Sequence, residues 1–315
     1  MQDYTLIAPA KINLHLEIVG ARPDGYHELV MVMQNVALAD RVRVRAGDRQ
    51  EIRLFCNHPQ VPKEPTANLA YKAAKLMCDR FSDAYARLGG VDITIEKNIP
   101  VAAGLAGGSV DAAAVLVGID LLWKLGLTKA ELQDLGAELG SDVPFCVLGG
   151  TALATGRGEV LDPLPDLNGI AVVLAKHRNL EVSTGWAYKS YREAFGQEYL
   201  SDPNDIAARH SRVHSGPLAG AIVKGDAIEI GKLLYNDLER VVLPAHTRVE
   251  QVRSAFAAAG VLGTMMSGSG PTVFALCKST EQARQVRETV QEQIADPELD
   301  FWVTQLSGTG ICVEP

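Results

Sequence analysis

Between residues 11 and 18 apolar and polar positions alternate without a break, with Ile12, Leu14, Leu16 and Ile18 on one side and Lys11, Asn13, His15 and Glu17 on the other. A period of two residues is that of a β-strand with one buried face. Arg22-Pro23-Asp24-Gly25 has the chemistry of a turn, since proline presets φ and glycine accepts positive φ. The apolar run from residue 29 to 36 is therefore expected to return as a hairpin partner, with Tyr26 and His27 just past the turn. Val42, Val44 and Ala46 alternate with Arg41, Arg43 and Arg45, which predicts a further strand. Three like charges on one face read as a solvated edge strand, with an anion contact as the alternative.

Helical spacing takes over in residues 67–88, through Leu69, Ala73, Leu76, Met77 and Phe81, and stops at Gly89-Gly90. Val91, Ile93 and Ile95 then alternate as a short strand. Thr128 and Glu131 have the spacing of a capping box, and Gly140 closes the helix that follows. Ser141-Asp142-Val143-Pro144 marks a new helix start, because proline is accepted only in a first turn, and this puts Asp142 at a helix N-terminus. Asp162-Pro163-Leu164-Pro165 and Asn168-Gly169 interrupt the pattern before a strand at residues 170–175, so the chain is divided near residue 160, into 1–160 and 161–315. Helices are expected at residues 219–234 and 246–259, and residues 262–276 read as strand, glycine turn, strand. Helices and strands mix without regular βαβ alternation, which favours the α+β class over a doubly wound sheet.

Charge and composition narrow the function. Lys and Arg number 30 against 38 Asp and Glu, a net charge of −8, which argues against nucleic acid held by broad electrostatics. No stretch approaches the roughly 18–20 apolar residues of a membrane span. Asp3 precedes the first apolar segment and Lys11 and Asn13 interrupt it, unlike a secretory signal. Cys56, Cys78, Cys146, Cys277 and Cys312 form no C-x-x-C pair, as expected of a reduced, cytoplasmic protein without structural zinc. Glycine is the excess residue, 29 of 315, and its position matters more than its number.

The densest glycine cluster is Gly104-Leu105-Ala106-Gly107-Gly108-Ser109, placed between a strand and an alanine-rich helical run. Such a loop lets the backbone approach a phosphate, and a helix start offers unpaired N–H groups and a positive dipole end. The glycines alone fit a tight turn equally well. Gly156-Arg157-Gly158 and Gly268-Ser269-Gly270 lack the third glycine of a dinucleotide fingerprint, and Gly225 to Leu233 has the wrong spacing and no Ser or Thr for a P-loop. His210 and His214 have i, i+4 spacing but no accompanying acid, so a metal site there is disfavoured. Taken singly, Lys11 reads as a solvated lysine and Asp142 as an ordinary cap.

Together the segments resemble a family. Pro100-Val101-Ala102-Ala103-Gly104-Leu105-Ala106-Gly107-Gly108-Ser109 resembles the phosphate loop of the GHMP kinases, and Ser267-Gly268-Ser269-Gly270-Pro271-Thr272 their C-terminal glycine motif. Pro9-Ala10-Lys11-Ile12-Asn13-Leu14, Arg22-Pro23-Asp24-Gly25-Tyr26-His27-Glu28-Leu29 and Gly140-Ser141-Asp142-Val143-Pro144-Phe145 resemble the branch acting on a cytidine diphosphate-linked methylerythritol in the non-mevalonate isoprenoid pathway. Two positions depart from the pattern: Ala106 stands where the family usually has glycine, and Val110 where it has a second serine.

The resemblance implies an α+β, two-domain GHMP kinase fold with the active site in the cleft between an ATP-binding, catalytic part (1–160) and a C-terminal part (161–315). It implies transfer of the ATP γ-phosphoryl group, with Mg2+, to the 2-hydroxyl of the methylerythritol unit. Asp142 and Lys11 match the catalytic pair. Asn68, Lys97, Pro100, Val101, Ala102, Ala103, Gly104, Leu105, Ala106, Gly107, Gly108, Ser109, Val110 and Asp111 match the ATP site; Asn13, Tyr26, His27, Thr184 and Tyr188 match the acceptor site, with Tyr26 stacking on the cytosine and His27 reading its edge. The metal ligands are left open. Expected partners are small molecules alone, with no nucleic acid or membrane, on a monomer or homodimer. The alternatives are a GHMP kinase for mevalonate or homoserine, which has no use for Tyr26 and His27, and a non-catalytic sensor, which would have lost Lys11 or Asp142.

Overall fold

Two long antiparallel strands carry the fold, β1 (Asp3–Ala21) and β2 (His27–Ala46), in a computed structural model that describes residues 3–47, 49–61 and 64–315. Their ladder runs from Asp3↔Arg45 to Ala21↔His27 and shifts register between Pro9 and Lys11, between Asn13 and His15, and between Ile18 and Gly20. Register shifts of this kind re-aim side chains locally, and two of them bracket Lys11 and Asn13. Ile12 and Leu14 are fully buried on one side, as the alternation predicts. The polar side is not solvated as expected: Lys11 and Asn13 are buried too, because the strand runs through the interior with chain packed on both faces.

The remaining strands are β3 (Ile52–Cys56), β4 (Val91–Glu96), β5 (Thr151–Gly156), β6 (Val160–Leu164), β7 (Ala171–His177), β8 (Tyr235–Asn236), β9 (Gly263–Met266), β10 (Val273–Cys277), β11 (Leu299–Gln305) and β12 (Cys312–Val313). The first sheet runs β12-β1-β2-β4-β3, with β5 on β2, β6 on β5 and β8 on β1; the second runs β11-β7-β10-β9. The strand Val160–Leu164 crosses residue 160 and remains in the first sheet, which also draws β8 and β12 from the far end of the chain.

Arg41, Arg43 and Arg45 do not lie on an edge. β2 is flanked there by β1 and β4, and the neighbours supply carboxylates: Glu96 and Glu314 to Arg41, Asp3 to Arg43, Asp92 to Arg45. The like-charged face is neutralised by long-range pairing that a local pattern does not reveal.

The helices are α1 (Leu69–Arg80), α2 (Ser82–Leu88), α3 (Gly107–Trp123), α4 (Lys129–Leu139), α5 (Val143–Leu148), α6 (Thr184–Phe195), α7 (Pro203–His214), α8 (Pro217–Lys224), α9 (Ala227–Lys232), α10 (Glu239–Ala245), α11 (Thr247–Ala258) and α12 (Thr280–Ile294). The helix expected over residues 67–88 is two, broken at Phe81, whose φ of −117° and ψ of 52° leave the helical region. The one expected over residues 219–234 is likewise split, at left-handed Gly225, with the Asp226 side chain capping α9. The capping box at Thr128 and Glu131 is present in both directions. No helix among the described residues is long and apolar enough to cross a membrane.

α3 crosses the first sheet and places the phosphate-loop candidate. It is apolar nearly all round, and a Cβ at Gly118 would stand 2.7 Å from Val44 Cγ2, so glycine is what lets the helix seat against β2. Its N-terminus is held by Lys97, just beyond β4. The Lys97 ammonium, 3% exposed, donates to Asp40 on β2, to Asp111 on α3 at 2.8 Å and to the Gly107 carbonyl at 3.1 Å. Asp40 also accepts the amides of Asn98 (2.6 Å) and Ile99 (2.9 Å). Burial acts to lower the Lys97 pKa, but the two carboxylates outweigh it and the net direction is upward. Burial also raises Asp111. Ala106, just before α3, is held left-handed at φ 58° and ψ 27°.

Lys97→Met should leave two buried carboxylates uncompensated and lower stability by about 3–5 kcal/mol in chemical denaturation; a loss below ~1 kcal/mol would contradict the cluster's role. Ala106→Gly should act in the opposite sense. It relieves about 1–2 kcal/mol of left-handed strain against an entropic cost of about 0.4–1 kcal/mol, so the denaturation midpoint should rise slightly, and a fall would contradict the strain.

Candidate active site

A cavity of about 1030 Å³ opens between β1 and β2, the loop into α3, α6 and the glycine turn after β9. On one wall lies the loop leading into α3, pinned from two directions. The Lys11 amide donates to the Leu105 carbonyl (3.2 Å), while Ser267 Oγ donates to the Gly104 carbonyl (3.0 Å) and the Thr272 amide to that of Ala103 (3.4 Å). Only glycine fits at residue 104, where φ is 74° and a Cβ would stand 2.3 Å from the Ser267 carbonyl oxygen. The first bond closing on the helix runs from the Val110 amide to the Ala106 carbonyl (2.9 Å). The preceding amides of Gly107, Gly108 and Ser109 belong to the unpaired first turn, and these residues line the cavity with Ala102, Ala103, Gly104 and Ala106.

Lys11, Asn13 and Asp142 form the floor. Lys11 Nζ donates to Asn13 Oδ1 at 2.7 Å and stands 3.7 Å from Asp142 Oδ2. The Lys11 side chain is 5% exposed and that of Asp142 is 33% exposed, so the carboxylate is the group the cavity can reach. Asp142 does precede α5, but its side chain makes no capping hydrogen bond and turns to Lys11 instead. Asn13 Nδ2 is held against Met31 Sδ at 3.5 Å.

Aromatic residues make the opposite end. Tyr26 is exposed beside the turn, and His27 is buried against Tyr188 of α6, ring centroids 5.0 Å apart and 31° between planes. Tyr199 meets the imidazole edge-on at 5.9 Å. Arg192 Nε donates to His27 Nε2 (3.3 Å), and its Nη2 donates to the Gly25 carbonyl (3.0 Å). Burial, reinforced by the Arg192 charge, lowers the His27 pKa to about 4. The Arg157 guanidinium lies over the Tyr26 ring, 5.1 Å from its centroid. Thr184 Oγ1 and Ser269 Oγ, 2.9 Å apart, tie α6 to the second glycine turn.

Some matched residues stand elsewhere. Asn68 is buried and caps α1, its Oδ1 accepting the Ala70 amide at 2.8 Å. Lys97 and Asp111 lie behind the phosphate loop in the cluster described above. Leu105 and Val110 are packed in the core, so the valine at residue 110 does not take a hydroxyl away from the cavity wall. Pro100 and Val101 also fall outside the lining. His210 and His214 face different acids, Glu28 at 3.5 Å and Asp162 at 2.7 Å, and among the described residues no group of three His, Cys, Asp or Glu could hold a metal ion. Arg157, Lys189, Arg192 and Ser269 line the cavity without having been expected there. Arg157 lies between Gly156 and Gly158, a segment whose glycines carry no dinucleotide fingerprint, and α6 carries no motif beyond its start.

Residues 68–150 match the GHMP kinases N terminal domain and residues 218–296 the GHMP kinases C terminal domain. The chain is 59% identical over 314 residues to 4-diphosphocytidyl-2-C-methyl-D-erythritol kinase of Trichormus variabilis, with 99% of each chain covered. It is 60% identical to the enzyme of the same name from Nostoc punctiforme, again over 99% of both. A crystal structure of 4-(cytidine 5'-diphospho)-2C-methyl-D-erythritol kinase superimposes with a TM-score of 0.74 at 32% identity, covering 98% of this chain and 100% of that one. Homoserine kinase from Cytophaga hutchinsonii shares the fold, with a TM-score of 0.73 at 20% identity and 100% and 98% coverage. The chain thus belongs to the 4-diphosphocytidyl-2-C-methyl-D-erythritol kinase family, within the GHMP kinases.

Proposed function

We propose that this cleft transfers the γ-phosphoryl group of ATP to the 2-hydroxyl of 4-diphosphocytidyl-2-C-methyl-D-erythritol, leaving the cytidine diphosphate arm intact. The observation that carries the reading is the position of Lys11 and Asp142 in one cavity, between the free amides at the start of α3 and the Tyr26, His27 and Tyr188 corner. Unpaired helix amides suit phosphate oxygens, and an aromatic corner suits a nucleobase. Mevalonate and homoserine carry no base to fill that corner.

In the proposed reaction Asp142 accepts the proton of the 2-hydroxyl as its oxygen bonds to the γ-phosphorus, and the bond from phosphorus to the bridging oxygen of ADP breaks. Lys11 has three N–H groups. One is given to Asn13, and Asp142 lies to another side, which leaves donor capacity for the oxygens of the transferring group. Phosphoryl transfer depends mainly on positioning and charge stabilisation, and a lysine fixed at both its amide and its ammonium serves both.

Magnesium suits the donors present. It takes one or two protein oxygens and completes its shell with substrate phosphates and water, and Ser109 and Asp142, both in the lining, carry such oxygens. When bound, the ion neutralises charge on the β- and γ-phosphates. The part of the chain before residue 160 supplies the phosphate loop and catalytic pair, and the part after it supplies α6 and the second glycine turn.

Initial rates of ADP release with the cytidyl acceptor, mevalonate and homoserine test the assignment, and turnover is expected with the first alone. Asp142→Asn should keep the fold by circular dichroism and lose about 10²- to 10⁴-fold in kcat; a kcat within twofold of the parent would remove Asp142 from the proton transfer. Tyr26→Ala should cost about 1–3 kcal/mol of base stacking, seen as a raised KM for the cytidyl acceptor at unchanged KM for ATP. Equal changes in both would refute the stacking role.

A further inference from the structure

His27 touches the cavity, yet one of its two ring nitrogens is already committed. Arg192 reaches across from α6 and donates Nε–H to His27 Nε2 at 3.3 Å, and its Nη2 is anchored on the Gly25 carbonyl at 3.0 Å. A guanidinium has donors and no acceptor. Nε2 must therefore be bare, and the proton of a neutral imidazole must reside on Nδ1. The rings of Tyr188 and Tyr199 hold the imidazole plane at the two angles given above. Among the described residues Nδ1 has no hydrogen-bond partner and is not one of the polar atoms sealed from solvent, and His27 lines the cavity.

We propose that Arg192 is a positioning residue for nucleobase choice: by donating to His27 Nε2 it fixes the Nδ1–H tautomer, leaves the imidazole able only to donate to the base, and so selects cytosine over uracil. This rests on the cytidyl reading above and specifies how it is enforced. The Watson–Crick edge of cytosine presents an acceptor at N3, which pairs with Nδ1–H. Uracil presents N3–H at the same place, and two donors face each other. With a mobile tautomer the imidazole could switch to acceptor and tolerate both bases. Arg192 removes that freedom by occupying Nε2, which leaves Nδ1 as the nitrogen available to the base.

The test compares binding of cytidine diphosphate and uridine diphosphate to the full chain by calorimetry, with 15N NMR of histidine-labelled protein as a second readout. In the parent protein His27 should show a protonated Nδ1 and a bare Nε2 without any ligand, and cytidine diphosphate should bind roughly ten- to hundredfold more tightly than uridine diphosphate, the scale of one unpaired buried donor. Arg192→Met should let His27 exchange between tautomers and reduce that preference to roughly threefold or less, with KM for ATP unchanged. A merely structural role for Arg192 would weaken both diphosphates alike and leave their ratio intact, which would overturn the proposal. An Nε2–H tautomer or a charged imidazolium in the parent protein would overturn it as well. If the parent protein binds neither diphosphate, the cytidyl reading itself fails and the base selection falls with it; if it binds cytidine diphosphate while Arg192→Met keeps the full preference, only the role of Arg192 fails.

Discussion

The active-site geometry depends on one close meeting of three backbones. Lys11 of β1 is bonded through its amide to Leu105 of the phosphate loop, and the neighbouring Gly104 and Ala103 carbonyls are bonded to Ser267 and Thr272 of the second glycine turn. The ammonium of that same Lys11 reaches Asp142. One residue therefore fixes the distance between the surface suited to phosphate and the carboxylate suited to the acceptor hydroxyl. Asn236 extends the arrangement. It lies on β8, paired with β1 at Leu16, and donates to the carbonyls of Met266 and Gly268, both at 2.8 Å. The C-terminal glycine turn is thus registered against the strand that carries Lys11 and Asn13.

An acidic chain that handles two polyanionic substrates must attract them locally. Backbone amides do so without net charge, and the first turn of α3 presents them at the cavity. Besides Lys11 at the catalytic pair, the side-chain cations around the site divide into two sets. Lys97 is spent within the protein, clamped between Asp40 and Asp111, and serves the loop by holding the Gly107 carbonyl. Arg157, Lys189 and Arg192 stand on the acceptor side. Arg157 packs on Tyr26 and Arg192 on His27, so at least two of the three act through the aromatic residues.

What the sequence discloses and what it conceals follow from the range of the interactions. The glycine loop, the capping box at Thr128, the turn before Tyr26 and the helix start at Asp142 are local and were all legible. The burial of Lys11 and Asn13 was not, because the covering residues come from distant parts of the chain. The same holds for Arg41, Arg43 and Arg45, whose partners lie on three other strands or beside them. Lys97 was matched to the nucleotide site because motif position says nothing about which way a side chain turns. Arg192 and His27 are 165 residues apart, and no periodicity or motif joins them.

The most direct test of the account is the phosphorus NMR spectrum of the product formed from ATP and 4-diphosphocytidyl-2-C-methyl-D-erythritol, with carbon-13 at C2 of the methylerythritol unit. The account predicts one new phosphomonoester resonance coupled to C2, with the two diphosphate resonances of the cytidyl arm retained and ADP formed in equal amount. Release of the γ-phosphate as inorganic phosphate, coupling to another carbon, or loss of the diphosphate signals would contradict it.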